Sequence, residues 1–220
     1  MNSAATQTMP SAPAASNHPR HKMWDVYCTD ASRHFRAGKL RKALQIWKLA
    51  LREAVHFGES DTRLAATLTN VTATYVQSPD ADLSREQALA LAQQCIRVHR
   101  NCYGKDSARV DEGGSGLLNA AVLLEYNGYV SEAHETLAEA VDTARAKLTD
   151  SAYSRRILMN SLYSRAALLW SHEKERASVE EILSLADEAY ELSLSLGNEA
   201  RQLQGVLAEM RDGIRASAAR

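Results

Sequence analysis

The residue types best suited to chemistry are Cys95, His99 and Cys102, which recur at i, i+4 and i+7 and therefore share one face of a helix. Thiolates with an imidazole suit zinc. No fourth ligand is evident, and free cysteine also packs as a small hydrophobe, so this face reads as structural and no metal is assigned. His18 and His21 lie near the N-terminus, where an unstructured arm would bind metal only weakly. The stretch EGGSG at 112–116 has the glycines of a phosphate loop but neither a following Lys-Ser/Thr nor a preceding strand, so it reads as a flexible connector. There is no Ser-His-Asp order, no HExxH and no carboxylate pair on a shared inward face. The expectation is a non-catalytic protein without a cofactor; an enzyme assembled from distant residues is the remote alternative.

The elements that would position these residues are helices. Aromatics make up 6% of the chain and its four prolines are Pro10, Pro13, Pro19 and Pro79, so nearly everything after residue 20 is free to be helical. The expected class is all-α. A net charge of −1 lacks the basic excess of a non-specific nucleic-acid binder, and no apolar run reaches the length of a membrane span. Neither nucleic acid nor membrane is expected as a partner. Three scattered cysteines fit a reducing compartment, and a soluble cytoplasmic protein is the expectation. Residues 1–21 read as a disordered arm; the acid-poor composition leaves organellar import open.

An internal repeat organises the remainder. With Ala31 placed on Ala121, Gly38 falls on Gly128, Ala43 on Ala133, Trp47 on Leu137 and Ala50 on Ala140. Ala88, Ala92 and Cys95 extend the second-helix positions to a copy between these two, at steps of 45 residues. A fourth, more diverged copy places Ile182, Ala186 and Ala189 there, 49 residues past the third. The copies span about 22–58, 60–104, 106–148 and 152–197. Each divides into two helices joined by a polar turn, and Gly58, Gly104 and Gly197 end three of the second helices. One such pair cannot bury its apolar face alone, so the units must stack. A last helix over about 198–217, with Asn198 as N-cap and an apolar stripe of Leu203, Val206, Leu207, Met210 and Ile214, is expected to cap the array.

The pattern at Ala31, Gly38, Ala43, Trp47, Ala50 and at Ala121, Gly128, Ala133, Leu137, Ala140 resembles the tetratricopeptide repeat. The long period and the phrases LAATLTNVTATY and CIRVHRNCYG are similar to the extended repeats of kinesin light chains. The resemblance covers about residues 22–200 and implies a right-handed superhelical solenoid of about four repeats plus the capping helix. It further implies that the first helices line a concave groove for a peptide or a partner surface, with Asn70 and Asn119 at the groove asparagine position and Arg165 at that place in the fourth copy. Ala66 and Ala73, Ser115, Val122 and Tyr126, and Ser161, Leu168 and His172 share those faces. Arg36 joins the groove set from the first copy. The other reading of the asparagines is that they bridge neighbouring helices. The carboxylate clamp of chaperone adaptors is broken, with Cys28, Ser32 and Ser115 where the family uses lysine or asparagine.

Charge is uneven: residues 18–56 hold nine Lys or Arg against three acids, and residues 171–200 hold eight acids against two bases. Such a molecule would be polar along its axis, steering an acidic partner toward Arg33, Arg36, Arg41 and Lys42 or favouring head-to-tail self-association. Ordinary solvated helix faces are the alternative. The functional expectation is an adaptor or scaffold that binds a protein or peptide in its groove. A fixed structural subunit of a larger, possibly cytoskeletal, assembly is the alternative.

Overall fold

The computed structural model of the chain describes residues 19–78, 83–103, 113–172 and 177–218. Among them are nine α-helices, namely α1 (Pro19–Arg36), α2 (Leu40–Ala54), α3 (Thr62–Gln77), α4 (Arg85–Tyr103), α5 (Gly113–Tyr126), α6 (Val130–Ala146), α7 (Ala152–His172), α8 (Val179–Leu196) and α9 (Arg201–Ala218), with short 3₁₀ turns at Val55–Phe57 and Gly197–Ala200 and no strand. The class is all-α, and no helix among the described residues is long and apolar enough to cross a membrane. Helix α1 begins inside the stretch expected to be a disordered arm, because Pro19 fits the first turn, where no backbone N–H is needed. The rest of that arm, His18, Gly104 and the central parts of the second and fourth turns lie outside the described residues.

Each helix packs on the helix before and after it, and in addition α3 lies on α5 and α5 on α7. The small residues sit at these joints. Ala43, Ala88, Ala133 and Ile182 are fully buried on the second helices, as are Ala50, Cys95, Ala140 and Ala189. Ala31 and Ala121 are fully buried on α1 and α5, and on α7 so is Ala166. Trp47, Ala92, Leu137 and Ala186 complete the buried row between the alanines.

The turns carry the repeat into backbone geometry. The Gly38 N–H donates to Phe35 O at 2.9 Å and the Lys39 N–H to His34 O at 2.9 Å; ninety residues later Gly128 donates to Glu125 O at 2.9 Å and Tyr129 to Leu124 O at 3.0 Å. Both glycines are left-handed, with φ of 70° and 77°. This pair of bonds is the Schellman motif, which closes the carbonyls at a helix C-terminus and needs a residue without Cβ strain. Helix starts are equally local. The Asp61 carboxylate accepts from Arg63 N at 2.9 Å, Ser84 and Gln87 exchange bonds in a capping box, and Ser178 accepts from Glu181 N at 3.0 Å.

Three expectations need correction. EGGSG is no connector: Gly113–Gly116 form the first turn of α5, and Gly116 lies directly beneath the imidazole of His99. Asn198 does not cap α9; it sits in the 3₁₀ turn and accepts from the Arg201 guanidinium at 2.6 Å. Val206 faces solvent, and α9 meets α8 through Leu207 and Ile214, which are buried, with Leu203 and Met210 partly buried beside them.

Four of the eight acids between residues 171 and 200 pair with arginines. Glu188 pairs with Arg145 from α6, Glu181 with Arg165 from α7 at 3.1 Å, Asp187 with Arg211 from α9, and Glu199 with Arg156 from α7 at 3.5 Å. Arg165 and Arg156 belong to the fourth pair itself, whereas Arg145 and Arg211 reach it from α6 and α9. Similar pairs tie α4 to α6, through Arg100 and Glu139 at 2.6 Å, and Arg97 to Glu59 at 3.0 Å.

Two consequences are measurable by urea unfolding. Gly38→Ala and Gly128→Ala should each cost about 1–2 kcal/mol, because each forces a Cβ into the left-handed region. Gly116→Ala should cost about 1–3 kcal/mol through overpacking, because the new methyl and the His99 ring cannot share the same space.

Candidate functional site

Of the first helices, α3 and α5 are walled in by their neighbours. Helix α5 touches α3, α4, α6 and α7, and every residue from Gly114 to Leu124 is buried. Its sequence permits this because GLLNAAVLL is apolar almost all round and the glycines and alanines admit close neighbours. A Cβ at Gly114 would already stand 2.8 Å from Ile157 Cγ2 on α7. Along α3 every residue from Leu64 to Val76 is buried except Asn70. In the middle of α7 the partly open residues besides Arg165 are Tyr163, Ala167 and Trp170, spaced four and three apart on one stripe. Helices that are otherwise enclosed thus meet solvent at Asn70, at Glu125 and Tyr126, and along Tyr163, Ala167 and Trp170.

Asn119 is 4% exposed, and its side chain makes no hydrogen bond among the described residues. Asn70 is half-buried and its amide is likewise unbonded, although its backbone carbonyl accepts from Thr74 Oγ1 at 2.6 Å. Neither asparagine bridges to a neighbouring helix. Tyr126 is 54% exposed at the end of α5. Arg36 is exposed at the end of α1, where its Nε donates to Ser32 O at 3.4 Å. Arg165 turns instead toward α8, held by Glu181, while the buried Ala166 beside it takes a small-residue place like that of Ala31 and Ala121. Ser161 is fully buried, and its hydroxyl has no partner among the described residues.

The cysteine and histidine face disperses into separate contacts. The Cys95 thiol lies 3.6 Å from Gly116 O, His99 Nε2 is 2.7 Å from Thr69 Oγ1, and Cys102 Sγ is 3.7 Å from Glu59 O. Burial pushes the Cys95 thiol up to about 12, and burial aided by the Asp25 charge does the same to Cys28, so both are held protonated at neutral pH. Among the described residues no group of three metal-binding side chains comes together. His21 packs edge-on against Phe57 at 4.9 Å between centroids.

Glu125 was not anticipated from the sequence. Its carboxylate is 23% exposed, accepts no hydrogen bond among the described residues, and has His172 Nε2 at 3.7 Å as its ion-pair partner. It occupies the last turn of α5, where the helix dipole disfavours negative charge. Burial raises its pKa, with the His172 charge opposing the rise. Burial and then the Glu125 charge raise Tyr126, and Tyr163 on α7 is raised by burial and by both of these neighbours. The available signal was a lone acid closing an apolar helix.

Because the folded state holds a proton on Glu125 more tightly than the unfolded chain does, its ionisation subtracts stability as pH rises through the raised pKa. That loss is absent below the ordinary glutamate value, where both states are protonated. Glu125→Gln should therefore leave the melting temperature at pH 7 unchanged or raise it. The advantage should shrink as pH falls through the raised pKa toward about 4, the ordinary glutamate value. Calorimetric melts of both proteins from pH 4 to pH 7 would check this.

Comparison of the chain with protein-family models, with curated proteins and with solved structures found no match.

Proposed function

We propose that this chain is a tetratricopeptide-like helical solenoid that acts without catalysis, holding an extended segment of another protein in a groove lined by α1, α3, α5 and α7. The observation that carries this reading is Asn119, a residue 4% exposed whose side chain makes no hydrogen bond among the described residues and whose amide is not sealed from solvent. An amide that donates and accepts together matches the main chain of an extended peptide whatever its side chains are. Asn70 supports the same reading, since it alone interrupts the buried run of α3. The paired Schellman turns and the nearest-neighbour helix packing support the solenoid.

Peptides selected from a displayed random library against the purified full chain provide the test. Asn119→Ala and Asn70→Ala should each weaken the selected peptides by about 5- to 30-fold, equivalent to about 1–2 kcal/mol. Melting temperatures should hold, because neither amide makes a hydrogen bond among the described residues. Unfolding by both substitutions, or unchanged peptide affinity in folded variants, would overturn the groove assignment. A partner that copurifies at fixed stoichiometry and resists exchange by these peptides would favour a fixed structural subunit over an adaptor.

A further inference from the structure

We infer that Glu125, with Tyr126 beside it on α5 and Tyr163 across from it on α7, forms a subsite for a basic side chain, lysine or arginine, of the bound segment. This rests on the groove reading and says which chemistry one of its positions selects.

The carboxylate is placed where the fold itself gives it little. It lies in the final turn of α5, against the helix dipole, with most of its surface withdrawn from water and no donor to either oxygen among the described residues. Its partner His172 is 3.7 Å away, beyond hydrogen-bond reach, 43% exposed, and charged only when protonated. Arginines elsewhere on the molecule are committed: Arg165 to Glu181, Arg145 to Glu188, Arg100 to Glu139, Arg211 to Asp187. Among the described residues Glu125 has no such arginine.

The surroundings suit one arriving from outside. Tyr126 is open to solvent, and Tyr163 lies close enough to feel the charge of Glu125. Aromatic faces attract ammonium and guanidinium groups and favour them over anions. Ala167 and Trp170 continue the open stripe on α7 and offer apolar surface to the methylene stem of a long basic side chain. Asn119, in the same helix as Glu125, would hold the main chain of the segment while the carboxylate reads one side chain.

The displayed-library selection also decides this. Peptides retained by the wild-type chain should carry Lys or Arg at one fixed position, and replacing that residue by norleucine should weaken binding at least about tenfold. Glu125→Gln should lose the preference while still retaining peptides, with a melting temperature at or above the wild-type value. Glu125→Lys should turn the preference at that position to Asp or Glu. A wild-type selection with no basic preference, or a Glu125→Gln protein that keeps it, overturns the subsite and leaves the groove standing. Failure of the wild-type chain to retain any peptide overturns the groove itself, and the subsite with it.

Discussion

At the joints between neighbouring helices a methyl group or a hydrogen atom stands where a longer side chain would hold two helices apart. Ala43, Ala88 and Ala133, Ala50, Ala140 and Ala189, and Gly114 and Gly116 set those distances. The enclosure of α5 depends on them. Because Gly116 admits the His99 ring, α4 and α5 close on each other, and Thr69 of α3 completes the contact at 2.7 Å. Dispersion across such close surfaces, summed over many atom pairs, then stabilises an array whose single pairs have too little core to stand alone.

Enclosure also explains why the polar residues of the first helices are informative. A helix exposed along one face can carry an asparagine or a glutamate at no cost, since water satisfies it. On α3 and α5 water has been almost excluded, and the residues that break the apolar pattern are conspicuous because local rules argue against them. Asn119 lacks a partner and Glu125 lies against the dipole of its own helix. Departures of this kind from internal consistency gather at sites that serve something other than folding.

Much of the fold was legible in the sequence because its signals are local. The 45-residue steps marked the rows that become buried, and Gly38 and Gly128 marked two turns whose hydrogen bonds agree bond for bond. What sequence reasoning missed depends on contacts between distant residues. EGGSG looked like a linker because glycine is ordinarily a breaker, and only His99, some twenty residues earlier, makes it a contact surface. The acidic run of the fourth pair reads as an electrical pole in the sequence, and the arginines that pair with four of its acids, Arg145, Arg156, Arg165 and Arg211, lie on other helices. Giving Arg165 the place of Asn119 puts Ala167 where Ala121 stands, whereas the fully buried alanine is Ala166, one position earlier. For the candidate site, the family resemblance brought Asn70 and Asn119 forward, whereas the setting of Glu125 depends on how nearly α7 closes over the end of α5.

The order of helix contacts has a mechanical side. Since the helix contacts among the described residues run mainly between consecutive helices, with α3 on α5 and α5 on α7 besides, tension applied at the two ends would pass mainly from one joint to the next. Yielding would begin at a terminal pair and proceed one joint at a time, as in a chain of clasps. The Arg145–Glu188 and Arg100–Glu139 pairs span two of those joints on the second helices and, being open to water, would hold less firmly in concentrated salt. The resistance of the molecule to stretching would then depend on the ionic strength of its surroundings.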